Sequence, residues 1–376
     1  MKITVNTRLL LKGKMEGIGW FAFETLKRIT QQHPEHQFYF IFDRPYHQDF
    51  IFSENITPIV IGPPSRHPVL WYIWFNWSVK RVLNRIKPDL FFSPEGYLCL
   101  NSKVKQINVM HDIAYEHYPE TVPGLVKRYY KYYFPKFAEK AMRIATVSQF
   151  SKDDITRTYH VNPDKIKVIY NGCNEVFGPI SENEKKNTRK KWSAGKPYFI
   201  YIGGINPRKN IKNLLLAFDK FKVKTPSEIK LLLIGKKGFG SEELDQIHSG
   251  LRFKNDIEFV GRVEEDLEVN KLISSSLALT YVSVFEGFGI PCLEAMHCGT
   301  AVITSNRSSM PEICGDAALY VDPLDINSIA EGMKRIANEE SLRQGLTAKG
   351  LEQSTKFSWQ KTADLLWEMM DKELRS

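Results

Sequence analysis

Residues Tyr281 to Gly299 read YVSVFEGFGIPCLEAMHCG, a strand, a glycine-bearing turn and a helix. Ala278 to Ser283 is apolar and β-prone, and Glu286-Gly287-Phe288-Gly289 interrupts it. Pro291 suits a first helical turn, because its missing N–H would find no intrahelical acceptor there. Gly299 stands where a left-handed C-terminal cap is needed. Two carboxylates flank the turn, Glu286 in the loop and Glu294 one helical turn in. The helix start offers N–H groups and a positive dipole end to the same place, so the loop can hold a polyhydroxylated or anionic ligand. Glycines let the backbone approach that ligand closely. Taken alone, two such glutamates are more often a solvated loop acid and a residue that favours a helix start. The surrounding chain has to choose.

At 376 residues, two domains are the expectation. Apolar content of 43% with 25% charged residues is ordinary for a soluble globular chain. No run approaches the ~18 apolar residues that span a bilayer. Lys2 and then Ile3 to Leu11, broken by Asn6, Thr7 and Arg8, read as a first strand and not a signal peptide. The five cysteines have no metal-type spacing and read as reduced thiols of a cytoplasmic protein. The net charge of +9 is uneven: 24 Lys and Arg meet 16 Asp and Glu through Gly178, and 28 meet 27 after it. The basic first half therefore suits an acidic partner or an anionic membrane surface, such as the inner face of the cytoplasmic membrane, although a merely solubilising charge reads equally.

Lys2 to Asn6 is a strand, Arg8 to Gly19 a loop with Gly13, Gly17 and Gly19, and Ile18 to Gln31 a helix. Strand-like segments recur at Phe38–Phe42, Ile56–Ile61, Leu90–Ser93, Gln106–Met110, Ile144–Val147 and Lys167–Tyr170, with helical patterns between them. That alternation predicts a parallel sheet covered by helices. His111 closes one strand at the carboxyl edge, where such sheets bind ligands, although a lone histidine there is more often structural. Trp71 to Ile86 and Lys127 to Arg143 mix aromatic and basic residues, the second with Pro135 as a kink or break. They read either as amphipathic core helices or as an interfacial surface. The polar, aperiodic stretch 179–196 reads as a linker, dividing a domain at 1–178 from one at 197–357, with a last helix in 358–376. In the second domain a strand ends at Gly203-Gly204, and Pro207-Arg208-Lys209-Asn210 precedes a helix. Two cations at such a turn suit a diphosphate, since arginine offers a planar fork and lysine a compact charge, although lysines at turns are mostly just solvated. Further strands end at Gly235 and at Gly261-Arg262-Val263.

Glu-Gly-Phe-Gly-Ile-Pro followed by Glu-Ala-Met-x-x-Gly-Thr resembles the Glu-x7-Glu segment of the retaining glycosyltransferases of family 4 (glycosyl transferases group 1). The Pro-Arg-Lys-Asn loop, Gly17-Ile18-Gly19, Val109-Met110-His111-Asp112 and Ser308-Ser309-Met310-Pro311-Glu312-Ile313 follow in the family's order, and the likeness covers nearly the whole chain. It implies an α/β chain of GT-B architecture, two Rossmann-like domains facing across a cleft, with the last helix crossing back to the first. By that likeness Gly17, Gly19, Arg208 and Lys209 meet the donor diphosphate, and Gly204 stands where many members have arginine. Gly235, Arg262 and Val263 line the nucleobase. Glu286 with Gly287, Phe288, Gly289 and Ile290 orients the sugar, Glu294 holds the ribose, and His111 sits near the sugar. The implied activity is retaining transfer of a hexose, mannose being one candidate, from a GDP-, UDP-, ADP- or TDP-linked donor to a glycan or lipid-linked acceptor in surface polysaccharide synthesis. The sequence has no Asp-x-Asp motif, so no metal and no other cofactor is expected, and no nucleic acid partner. Other classes compatible with the residues are a GT-B sugar-nucleotide epimerase or phosphorylase and a non-catalytic basic binder or scaffold.

Overall fold

The structure is a computed structural model that describes residues 1–238 and 243–375. The chain divides into two units, Met1–Gly172 with Phe357–Ser376, and Cys173–Lys356. The first is built on seven strands: β1 (Lys2–Asn6), β2 (Gln37–Phe42), β3 (Ile56–Val60), β4 (Leu90–Ser93), β5 (Gln106–Val109), β6 (Arg143–Thr146) and β7 (Ile166–Val168). They lie in the order β3-β2-β1-β4-β5-β6-β7, every pair parallel. All of β4 and β5 is buried, as a sheet covered on both faces requires. On one face Phe21, Leu26 and Ile29 of helix Gly17–Gln32 pack with Leu366 and Met370 of helix Trp359–Arg375. On the other, Trp74, Phe75, Leu83, Phe134 and Phe137 form a second core. The order reverses between β1 and β4, so the loops leaving these two strands part and open a crevice at the carboxyl edge.

Three expectations change in detail. Helix Gly17–Gln32 starts at Gly17, so Gly17 and Gly19 belong to its first turn and not to the preceding loop. The span 71–86 is not one regular helix: a π-helical segment, Trp74–Val79, lies between helices Pro68–Ile73 and Lys80–Ile86. Trp74, Phe75 and Asn76 on it are all buried. Helix Gly124–Lys140 runs through Pro135 without a break, because Tyr129 and Phe134 before it and Phe137 and Ala138 after it are buried.

The second unit holds β8 (Tyr198–Ile202), β9 (Lys230–Ile234), β10 (Ile257–Gly261), β11 (Ala278–Tyr281), β12 (Ala301–Ser305) and β13 (Ala318–Val321). Their order is β10-β9-β8-β11-β12-β13, again all parallel, with the reversal between β8 and β11. Residues 179–196 are not a structureless linker. They contain helix Glu182–Ser193, opened by a capping box in which Ser181 and Glu184 satisfy each other's backbone N–H. The unit accordingly begins at Cys173 and ends at Lys356, and Phe357 onward belongs with the first unit.

Candidate active site

The loop after β8 and the loop after β11 are sewn together at the switch point of the second sheet. Asn210, at a left-handed φ of 60°, donates its Nδ2 to the carbonyls of Val282 (3.0 Å) and Pro323 (2.6 Å). The Val284 N–H donates to Arg208 O at 3.0 Å. This stitching brings Arg208, Lys209 and Glu286 into one cluster. Lys209 Nζ donates to Glu286 Oε1 and to Tyr281 Oη, each at 2.5 Å, and Tyr281 Oη lies 3.1 Å from the same carboxylate oxygen. Arg208 Nη1 donates to Glu286 Oε2 at 3.1 Å and to Phe285 O at 2.7 Å. Tyr201 stacks against Tyr281 at 5.9 Å and forms the floor.

Glu286 is 6% exposed. Burial alone would push its carboxyl up, but Lys209 and Arg208 outweigh that and hold it down at about 2. A buried carboxylate thus stays charged because two cations from the neighbouring loop surround it. Its backbone is fixed as firmly. The Glu286 N–H donates to Ser308 Oγ (3.1 Å), and Ser309 Oγ donates to Glu286 O (2.9 Å) and Phe288 O (3.1 Å). Ser308 itself sits at φ 57°, a conformation that costs a non-glycine residue energy and that its neighbours maintain.

Helix Ile290–His297 follows, with Gly289 as its N-cap at φ 97° and Pro291 in its first turn. A Cβ on Gly289 would stand 2.3 Å from Met310 Cε. Glu294 is half-buried on this helix, and its carboxylate has no hydrogen-bond partner among the described residues. Burial, with a smaller push from Asp266, raises it to about 8. Asp266 is pushed up by its own burial. Once ionised, a carboxyl so placed accepts hydroxyl donors, since no described group competes for its lone pairs.

The remaining sequence-derived residues of this unit line the same edge. Gly203 donates its N–H to Ile234 O, and Gly235 donates to Gly261 O at 2.8 Å, so the loops after β8, β9 and β10 touch. Gly235 has φ 150°, and a Cβ there would meet Gly203 O at 1.8 Å. Around Gly204, by contrast, a Cβ would meet nothing within 4 Å. Arg262 is exposed and Val263 half-buried just beyond β10. Asn206 Oδ1, beside the Pro-Arg-Lys run, is buried without a partner among the described residues, an acceptor suited to a bound hydroxyl or amine.

His111, Gly17 and Gly19 lie in the first unit. His111 Nε2 is 3.0 Å from Pro94 O, and Phe21 of helix Gly17–Gln32 meets its ring edge-on at 4.9 Å. Burial lowers its pKa, so it is neutral near pH 7. A Cβ on Gly19 would press on Leu9 O at 3.0 Å. Sequence reasoning assigned no role to Tyr281, Asn210, Ser308, Ser309 or Asp266, although the first four stand inside stretches it had singled out. Nothing in their spacing states that a hydroxyl will bridge a lysine and a glutamate.

Comparison with known proteins decides the class. Residues 15–176 match the Glycosyltransferase Family 4 family, and residues 182–353 match Glycosyl transferases group 1. The chain is 33% identical to the O-antigen chain mannosyltransferase B of Escherichia coli over 74% of its own length and 73% of that protein's. The chain belongs to the family 4 glycosyltransferases. This glycosyltransferase is also 31% identical to the O-antigen chain mannosyltransferase RfbU of Salmonella typhimurium, over 77% of this chain and 78% of that one. Its fold matches Anabaena Alr3699/HepE, solved in complex with UDP and glucose, with a TM-score of 0.77 at 16% identity over 99% of this chain and all of that one. Two Rossmann-like parallel-sheet units are the GT-B composition that the resemblance implied.

Proposed function

We propose that this glycosyltransferase moves mannose from a nucleotide-diphosphate mannose to a glycan or lipid-linked acceptor, with retention at the anomeric carbon, during assembly of a surface polysaccharide of the O-antigen type. The observation that carries the reading is the cluster of Arg208, Lys209 and Glu286 at the switch point of the second sheet. The two mannosyltransferase relatives, at 33% and 31% identity, support mannose as the sugar.

In this reading Arg208 and Lys209 receive the donor diphosphate, and Glu286, with the backbone of Gly287, Phe288 and Gly289, orients the sugar hydroxyls. Glu294 accepts from the ribose, and Gly235, Arg262 and Val263 lie along the base. Breaking the bond from the anomeric carbon to the diphosphate oxygen leaves charge on the phosphate, which the two cations stabilise, an effect often worth about 3–4 kcal/mol per preorganised group. The acceptor oxygen bonds to the same face of that carbon, and its proton passes to the departing phosphate oxygen. Because Arg208 and Lys209 supply the positive charge, transfer proceeds without a divalent metal or any other cofactor.

A cytoplasmic enzyme held peripherally at the inner face of the membrane fits the surface of the first unit. No helix among the described residues is long and apolar enough to cross a bilayer. Trp77 is 69% exposed and Tyr132 58% exposed, with Lys136 Nζ 3.4 Å over the Tyr132 ring, Arg81 and Arg85 exposed on helix Lys80–Ile86 and Lys131 exposed on helix Gly124–Lys140. Aromatic and basic side chains so mixed suit an anionic bilayer surface. Sedimentation with phosphatidylglycerol vesicles tests this: binding that weakens with salt supports it, and no binding rejects it.

Thermal-shift titration against UDP-, GDP-, ADP- and TDP-sugars and their free nucleotides tests the donor. A rise in Tm with one base, and with mannose among the sugars, supports the reading. No rise with any of them would refute it. Full transfer after chelator treatment is expected, and complete loss would reject the metal-free step.

A further inference from the structure

Two tyrosines lie stacked beneath the cluster at the switch point of the second unit, and their hydroxyls are used differently. Tyr201, near the end of β8, and Tyr281, at the end of β11, face each other at 5.9 Å with 12° between their planes. Both side chains are almost wholly buried. Tyr201 gives its hydroxyl to a backbone carbonyl, Gly204 O at 3.0 Å, as a buried tyrosine commonly does. Tyr281 places its hydroxyl against an ion pair. Its Oη accepts from Lys209 Nζ at 2.5 Å and donates to Glu286 Oε1 at 3.1 Å. Lys209 donates to that same carboxylate oxygen at 2.5 Å, so lysine, phenol and carboxylate close a triangle. Thr304 Oγ1 donates to Tyr281 O at 2.9 Å, which fixes the strand end from which the ring projects.

The triangle answers a difficulty in the resting site. The lysine suited to a diphosphate is already engaged with Glu286, and the two side chains are only 11% and 7% exposed. If Lys209 turned to a phosphate, a nearly buried carboxylate oxygen would lose a charged donor, which is strongly unfavourable. With no other acceptor beside it, the ammonium would instead settle on the carboxylate and answer the phosphate poorly. The phenol meets both demands. Its lone pair gives Lys209 a pivot that is not the carboxylate, and its proton stays on Glu286 Oε1 whichever way the lysine leans. That proton is secure, because burial first, and then the charge of Glu286, hold the phenol well above its ordinary range. A phenylalanine would fill the same space and supply neither contact.

We propose that Tyr281 is a positioning residue of the transfer reaction. It holds Lys209 Nζ for the donor diphosphate and keeps Glu286 hydrogen-bonded while the lysine engages the phosphate. The assignment rests on the transfer reading given above, in which Lys209 receives the diphosphate and Glu286 orients the sugar hydroxyls.

The test is titration calorimetry of the full-length chain with GDP, UDP, ADP and TDP and the matching monophosphates. Wild type, Tyr281→Phe, Lys209→Ala and the double variant are compared, with Tyr281→para-aminophenylalanine as the conservative replacement. Tyr281→Phe is expected to weaken the diphosphate that wild type binds by about tenfold, the usual effect of losing one hydrogen bond to a charged group, and the matching monophosphate by less than about twofold. In the Lys209→Ala background the same exchange should change diphosphate affinity by less than about twofold, because the phenol acts through the lysine. The aryl amine keeps a lone pair and N–H donors at the same place, so it should restore diphosphate binding to within about threefold of wild type. Should Tyr281→Phe fail to fold, the aryl amine variant decides alone: binding within about threefold supports the role, and a loss of about tenfold overturns it. Equal diphosphate affinity in wild type and Tyr281→Phe would overturn the role. So would a loss shared by the monophosphate, a loss that persists without Lys209, or an aryl amine no better than phenylalanine, each of which leaves Tyr281 as a packing residue. A wild type that binds none of the diphosphates would remove the transfer reading itself.

Discussion

Replacing Glu286 by glutamine keeps the shape and both heteroatoms of the side chain but removes one charge from a nearly buried cluster of three. The carboxyl is held at about 2, against 4.5 in a free chain. At 1.36 kcal/mol per unit, that difference is about 3 kcal/mol of stability at neutral pH. Loss of one member of a buried ion pair gives a similar figure, about 3–5 kcal/mol, and the partial exposure of Arg208 argues for the lower end. Because the folded value lies below the unfolded one, this stability is fully present above pH 4.5 and is lost as pH falls through about 2. Urea unfolding of wild type and Glu286→Gln, followed by circular dichroism from pH 7 down to 2, reads the difference directly. The transition of the second unit should be lower in the variant by about 3 kcal/mol at pH 7, and the gap should close as the wild-type carboxyl protonates. Transfer activity should be abolished at every pH at which the variant is folded. A gap independent of pH, or none at pH 7, would refute the claim that the two cations hold this carboxylate ionised.

Lys209→Ala should weaken binding of a nucleoside diphosphate by about 10- to 100-fold while a nucleoside monophosphate loses less, measured by titration calorimetry. Glu294, held at about 8, is largely protonated at pH 7, and ribose hydroxyls favour its ionised form. Donor affinity should therefore rise between pH 6 and 9 with proton release on binding, read in buffers of different ionisation enthalpy, and Glu294→Gln should flatten the dependence. Gly289→Ala forces a Cβ at φ 97° and against Met310, and should lower stability by about 1–3 kcal/mol, seen as a fall in Tm. Gly204→Arg should fold normally, since the space is open, and should tighten nucleoside diphosphate binding in the same titration.

Periodicity and punctuation made much of this molecule legible. The alternation of apolar strands with helical segments foretold two parallel sheets, and Glu286-Gly287-Phe288-Gly289-Ile290-Pro291 announced the loop that leads into its helix. What stayed hidden depends on contacts between distant residues. Arg8 Nε donates to Glu95 Oε1 across 87 positions, and nothing local marks either residue. The bridge from Lys209 through Tyr281 to Glu286 likewise exists only once β8 and β11 lie side by side. Helix Glu182–Ser193 was overlooked for a different reason. Its mean hydropathy is so polar that periodicity is weak, yet the Ser181-to-Glu184 box was there to be read. The π-helical segment at Trp74–Val79 leaves no sequence mark, and its buried residues are Trp74, Phe75, Asn76 and Val79.

The seating of helix Trp359–Arg375 on helix Gly17–Gln32 has a consequence for the order in which the protein is made. When Gly172 leaves the ribosome, the seven strands of the first sheet are complete, but the apolar surface around Phe21, Leu26 and Ile29 lacks Leu366 and Met370. About 200 further residues, containing the whole second unit, must be synthesised first, a delay of roughly 10–40 s at ordinary elongation rates. The nascent first half therefore waits with an open greasy flank, which makes this interval the natural point for a chaperone to act. A truncated chain ending at Gly172 would carry that flank permanently and should aggregate.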